Sequence, residues 1–343
     1  MTRRDIRSDD TFATAAEIPP IKGILIRHLR APTDYLAMNT VANRARVANG
    51  DHFATSDEGL AAFYDHLPDS DPATDVVVVT VAEAIVAYGR VTSGAELSKD
   101  RGHLHDLICF VDPAWNRRGI GRALLATLEA RAGEMVADQP NVAHNLQAEA
   151  EDRSAGQTTL LVSAGYRPVR YFYTMLRPNL DDQFDAPLPA GLEIRDVQPE
   201  HLRAIWETEV EAVQDHWGAT EPTEAAYKSF LTDASPAETA LWRVAWDGDQ
   251  IAGQVRSLIS DDGNRRDGTT RGWVERIMVR RPWRHRGVAR ALMAASFPLL
   301  RARGMTEGIL GVDTENPSGA LRVYESMGFA PISRSTTYRK PIG

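Results

Sequence analysis

The chain has one cysteine, Cys109, in 343 residues. That excludes an internal disulfide and any metal site built on cysteine pairs. In the apolar run 107–111, Cys109 reads as a packed core residue. No apolar run approaches the roughly 20 residues needed to cross a bilayer. Residues 1–20 carry three arginines and three aspartates and lack the apolar centre of a secretion signal. They read as a disordered polar tail, and a cytoplasmic protein is the expectation. Positive charge is short as well: the formal net charge is −8. This argues against nucleic acid as the main partner. No membrane partner is expected, and the chain is expected to be a monomer or homodimer.

What is present is ordinary for a folded chain, with 43% hydrophobic and 25% charged residues, and the length suggests two domains. An internal repeat supports this. Gly119 and Gly287 stand 168 residues apart, and the same offset pairs Trp115 with Trp283, Arg118 with Arg286, Arg122 with Arg290, Leu124 with Leu292 and Arg27 with Arg195. Residues 163–168, SAGYRP, echo residues 326–331, SMGFAP, at an offset of 163. A repeat this long is a whole domain in tandem, not a solenoid unit. The Pro- and Asp-rich stretch 178–191 has no periodicity and marks the boundary. The resulting division is a tail at 1–20, a first domain at 21–178, a linker at 179–191 and a second domain at 192–343.

Apolar patterning predicts strands at 24–27, 75–81, 85–92 and 103–111 in the first copy, with helices at 33–49, 57–66 and after Gly119. In the second it predicts strands at 192–196, 241–246, 250–259, 274–280, 307–313 and 332–339. Helices are expected at 199–213, 221–232, 288–303 and 317–327, with Pro298 kinking the third. Residues 261–271, DDGNRRDGTTR, read as a polar loop.

Residues 274–303 organise the second copy. A strand around Ile277, Met278 and Val279 runs into a basic turn, Arg284-His285-Arg286-Gly287-Val288-Ala289, and then a helix with Val288, Ala291, Leu292, Ala295 and Leu299 on one face. The first backbone N–H groups of a helix lack internal partners and sit at the positive end of its dipole. A pyrophosphate can take them. Small residues at 287 and 289 let phosphate oxygens approach, and arginine forks suit those oxygens.

Arg284-x-x-Gly287-x-Ala289 resembles the acyl-CoA signature Q/R-x-x-G-x-G/A of the GNAT acetyltransferases. The run from Asn316 through Tyr324 to Gly328-Phe329 resembles the family's second signature. The order strand, two helices, three strands, helix, strand, helix, strand is similar to the family's in both copies. The resemblance implies an α/β (α+β) fold of two tandem domains. Each would have a mixed, mostly antiparallel sheet flanked by helices, with two parallel strands splayed apart. It implies acetyl-CoA as cosubstrate, no metal, and direct attack of a small-molecule primary amine on the thioester. The layout is also similar to that of the mycothiol synthases, tandem members with an active second half, which suggests acetylation of an amine on a small thiol as one variant. A non-catalytic CoA-binding scaffold is the reading from another class.

On that resemblance, Ile277, Met278 and Val279 would meet the pantetheine, residues Arg284, His285, Arg286, Gly287, Val288, Ala289 and Arg290 would hold the pyrophosphate, and Asn316 would join them. Glu275 is the candidate base, with Asp313 second, and Tyr324 the candidate acid for the departing thiolate. In the first copy Arg117, Arg118, Gly119, Ile120, Gly121 and Arg122 form a candidate second CoA site. There Asn116 replaces the signature arginine, Leu107 stands at the position of Glu275, Leu161 at that of Tyr324 and Arg153 at that of Asn316. The first domain is therefore expected to transfer nothing. His103 and His105 share a strand face but have no evident third metal ligand. Asp215, His216 and Trp217 fall where the family's acceptor loops lie.

Overall fold

Residues Val76–Val81 read VVVVTV and all six are buried. An apolar run on both faces marks a strand covered on both sides by other layers, and this strand leads into the structure. It is a computed structural model that describes residues 18–67, 70–97, 102–137, 141–182, 184–214, 216–316 and 318–342. Most of the expected tail, Asp215 and Pro317 lie outside the described residues.

The chain divides into two compact units, Met1–Val169 with Thr336–Gly343, and Arg170–Ser335. The first contains β1 (Ile24–His28), α1 (Tyr35–Asn49), α2 (Asp57–Asp65), α3 (Pro72–Asp75), β2 (Val76–Val81), β3 (Ala84–Ala95), β4 (His103–Val111), α4 (Ile120–Val136), β5 (His144–Glu151) and α5 (Ala155–Ser163). The next strand, β6 (Arg167–Arg177), carries the chain into the second unit. There follow β7 (Glu193–Arg195), α6 (Leu202–Val213), α7 (Glu224–Thr232), α8 (Pro236–Thr239), β8 (Trp242–Asp247), β9 (Gln250–Leu258), α9 (Asp261–Asp267), β10 (Arg271–Val279), α10 (Val288–Ala302), β11 (Glu307–Asp313), α11 (Ala320–Ser326) and β12 (Ala330–Pro341).

The first unit's sheet runs β1-β2-β3-β4-β5 and then the end of β12, where Ile342 N donates to His144 O. The second runs β6-β11-β10-β9-β8-β7. The compact units therefore do not follow the repeat strand for strand. Residues 170–178, in the first half by sequence, belong to the second unit, and 336–343 belong to the first. Among the described residues each sheet has a parallel pair, β4 with β5 and β10 with β11, whose ladder joins only the starts of the two strands. Beyond those rungs the strands part, as a splayed sheet requires. The described residues of the stretch 179–191 form no helix or strand but are not loose: Leu180 is 2% exposed, and Phe184 and Leu188 pack against the second unit's core.

The buried stripe of α4 comprises Ile120, Ala123, Leu124, Leu125, Thr127, Leu128 and Ala132. That of α10 comprises Val288, Ala291, Leu292, Met293, Ser296, Phe297 and Leu300. Ala295 and Leu299, expected on it, are only half-buried, because the stripe turns toward Phe297 and Leu300. The helix runs on through Pro298.

The expected loop at 261–271 is corrected. Ser260 Oγ accepts from Gly263 N at 3.1 Å, Asp261 and Asp262 occupy the first turn, and Gly268 ends α9 at φ 64°. Asn264 ties the helix to the start of β10 through Arg271 N and O, both at 2.9 Å. The polar composition suggested a loop, yet an N-cap serine with acidic first-turn residues is a helix-start signal. Ser260→Ala is expected to cost about 1 kcal/mol, visible as a lowered unfolding midpoint in urea.

Candidate active site

The site begins where β10 leaves β11. The two pair at Arg271↔Glu307, Gly272↔Gly308 and Trp273↔Ile309 and no further. On its other edge β10 stays with β9 but shifts register: Glu275 faces Arg256, then Met278 faces Gln254. Three residues of β10 thus advance against two of β9, a bulge, and Arg276 takes the left-handed φ of 47° within it. Gly253, opposite Val279, permits the close approach. A Cβ there would lie 2.7 Å from Met278 O.

After β10 a short 3₁₀ turn, Arg281–Trp283, buries Trp283, whose Nε1 donates to Asp247 at 2.9 Å. His285 and Gly287 then take φ of 61° and 87°, and α10 starts at Val288 with no side chain capping it. Arg284 Nε donates to Val279 O at 3.0 Å, folding the basic turn back onto the strand end. The helix start is left with its N–H groups and dipole directed at whatever anion arrives.

Strand edge and helix start open on one cavity of about 730 Å³, within the range of cofactor sites. Ile277, Met278, Val279, Arg284, His285, Gly287, Val288, Ala289, Arg290, Asn316 and Tyr324 line it. Of the residues expected to hold the cofactor only Arg286 is missing, and it is exposed. Ala212 and His216 line the cavity from the end of α6, while Ser318, Arg322 and Ser326 line it from α11 and the turn before it.

Tyr324 is 7% exposed, on α11, with its ring edge-on to Phe329 at 6.5 Å. Burial alone pushes its phenol up to about 12. Glu275 is half-buried and does not line the cavity. Burial raises its carboxyl above the usual range, Arg276 and Arg256 pull it back, and Glu209 adds to the rise. Asp313 is held by Arg170 in a two-point ion pair at 2.8 and 2.9 Å, so its oxygens are already engaged. Asn316 Oδ1 accepts from Ser318 N and Oγ. Trp217 lies under the Arg170 guanidinium, 5.7 Å from ring centre to carbon.

Several residues beside the site were not legible in the sequence. Glu209 on α6 binds both Arg256, at 2.7 Å, and Arg276, at 3.1 Å. Gln254 is fully buried opposite Met278, with neither amide atom hydrogen-bonded among the described residues. The one sequence signal for Gln254 is the pairing of β9 with β10, whose register the bulge hides, and no local pattern points to Glu209 on α6.

The first unit repeats the turn but not the site. Arg117 and Gly119 take φ of 63° and 85°, at the offset of His285 and Gly287. Pro19 sits on Gly119, within 3.3 Å of where a Cβ would be, and Gly121 faces Leu160 and Val111. Leu107 and Leu161 lie in the apolar core. β4 pairs with β3 in unbroken register from Val111 to His103, without a bulge. Arg118 lies over Trp115. Cys109 packs beside this core, and burial pushes its thiol up to about 12. His103 and His105 gain a neighbour that the sequence did not suggest: His144 on β5 meets His105 ring to ring, Nδ1 to Nε2, at 3.0 Å.

A splayed parallel pair, a bulged strand edge, an uncapped helix start and a buried tyrosine thus meet around one cavity. The model of the Acetyltransferase (GNAT) family matches twice, at residues 41–150 and 201–329, and the chain belongs to that family. It is similar to the mycothiol acetyltransferase of Geodermatophilus obscurus, 26% identical over 273 residues that cover 78% of this chain and 82% of that one. The mycothiol acetyltransferase of Thermobifida fusca is 30% identical over 263 residues, covering 70% and 76%. Among solved structures, a GCN5-related N-acetyltransferase from Sphaerobacter thermophilus superposes with a TM-score of 0.67 at 25% identity, over 93% of this chain and 95% of that one. A tandem GNAT protein from the clavulanic acid biosynthesis pathway shares the fold, with a TM-score of 0.64 at 18% identity over 93% and 99%.

Proposed function

We propose that the second unit transfers an acetyl group from acetyl-CoA to a primary amine of a small molecule, and that the first unit transfers none. The observation that carries this reading is the single cavity shared by the splayed edge of β10, the start of α10 and Tyr324. The pantetheine amides would extend the open edge at Ile277–Val279 as an added strand. The pyrophosphate would take the N–H groups at Val288–Arg290.

An amine of pKa about 10 is mostly protonated at neutral pH, so a base must free its lone pair. Glu275 takes that proton through water, since it stands back from the cavity. The nitrogen attacks the thioester carbon, the C–S bond breaks, the thiolate takes the proton of Tyr324, and the second proton shed by the nitrogen returns through water to the phenolate. The named relatives favour an acceptor whose amine belongs to a small thiol. In the first unit leucines replace both proton-transfer groups and Pro19 covers the helix start, so one acetyl-CoA per chain is expected.

The test is acetyl-CoA turnover over a panel of amines that includes an aminothiol, with acetylated product read by mass. If acetyl-CoA binds and no amine is acetylated, the protein is a CoA-binding scaffold instead. The pH profile adds a second check. Glu275 works ionised, so kcat/KM should fall as pH drops through its carboxyl pKa. Burial raises that pKa, so the acid limb should lie above the ordinary carboxylate value of about 4.3. Glu275→Gln should abolish this limb and lower kcat by at least 10²-fold.

A further inference from the structure

Arg177 is 3% exposed, at the end of β6. Buried arginines are kept where a carboxylate meets them. The nearest here is that of Asp182, 3.9 Å away and itself mostly exposed. Burial accordingly pulls the guanidinium below its usual pKa, with Asp182 pulling the other way. Its Nε has no hydrogen-bond partner among the described residues. A charge held at such cost calls for a compensating role.

Its contacts indicate one. Nη1 donates to Met327 O and Nη2 to Asp182 O. Met327 is the C-cap of α11, the helix that carries Tyr324. The amides of Met327 and Phe329 both return to Tyr324 O, at 3.0 and 3.1 Å. A cation at a helix C-terminus also meets the negative end of the dipole. The guanidinium lies over Phe184 and Phe297, at 4.8 and 4.9 Å. Phe297 packs on Phe329, and Phe329 on Tyr324. Gly328, at φ 81°, makes room: a Cβ there would stand 2.9 Å from Nη1.

We propose that Arg177 is a positioning residue for Tyr324, clamping the C-terminal turn of α11 and its aromatic backing so that the phenol faces the cavity. The inference rests on the acid role given to Tyr324. The clamp residue is encoded in the first half of the repeat and works in the second unit, so the first half supplies part of the second unit's site without doing chemistry itself.

The experiment compares Arg177→Met, Arg177→Lys, Tyr324→Phe and the double variant Arg177→Met/Tyr324→Phe in the full chain. Arg177→Met should lower kcat by 10- to 100-fold, on the order expected for misplacing a reacting group, with CoA affinity unchanged. Arg177→Lys should recover part of the loss. The double variant should be no slower than Tyr324→Phe alone. A second reading does not need turnover: ultraviolet titration, taking Tyr324→Phe as the subtraction control, should show the Tyr324 phenol falling toward about 10 in Arg177→Met. Where Arg177→Met fails to fold, Arg177→Lys carries both readings with smaller changes. Losses that multiply in the double variant, or an unmoved phenol titration in a folded Arg177 variant, overturn the clamp. Full activity in Tyr324→Phe would remove the acid role instead, and the titration would still decide whether Arg177 places the tyrosine.

Discussion

Tyr324→Phe is expected to lower kcat by roughly 10²- to 10³-fold while leaving acetyl-CoA affinity within about twofold. The substitution keeps the ring that packs on Phe329 and removes only the hydroxyl. At about 12 the phenol lies some 3.5 units above a free thiol of about 8.5, a transfer uphill by about 5 kcal/mol if only the phenol were perturbed. The sulfur leaves into the same buried cavity, and desolvation raises the pKa of its conjugate acid as well, so the real gap is smaller. A donor must be protonated, so Tyr324 would stop working only as pH rises through its own pKa. With that pKa near 12, no loss of rate below about pH 10 should trace to it. Steady-state kcat together with calorimetric CoA affinity decides the point. A variant as fast as the parent would remove the acid role.

The parts of this site that follow from local pattern were legible in the sequence. β4 and β11 fall on His103–Val111 and Glu307–Asp313 as read from apolar runs. The repeat at Gly119 and Gly287 reappears as the same backbone, even to the left-handed residue two positions earlier, Arg117 in one unit and His285 in the other. What the sequence hid depends on pairing between distant segments. SAGYRP and SMGFAP look alike whichever sheet the following strand joins, so the assignment of residues 170–178 to the second unit could not be read. The bulge at Arg276 shifts register by one residue, and with it the partners of Glu275. Arg177 looks like any basic residue at a strand end until Met327 is seen beneath it. Ser260 is a legible N-cap, but the polar run after it reads as a loop by composition and masks α9.

The bulge also sets the second large effect. Gly253→Val should destabilise the fold by about 3 kcal/mol, at the upper end of overpacking costs, and should weaken acetyl-CoA binding. The added Cβ would lie 2.7 Å from Met278 O and 3.3 Å from the Val279 Cα. Both neighbours are backbone, which cannot swing aside as a side-chain tip can. β9 and β10 would have to separate at the residues whose open edge is proposed to receive the pantetheine. Gly311→Ala on β11 is the internal control. A Cβ there meets nothing within 4 Å, and replacing a strand glycine lowers the entropy of the unfolded chain by about 0.5 kcal/mol. It should therefore leave acetyl-CoA affinity intact and stability unchanged or slightly raised. Urea unfolding and calorimetric titration of the two variants side by side measure this. If Gly253→Val bound acetyl-CoA as tightly as Gly311→Ala, the bulged edge of β10 would not be where the cosubstrate lies.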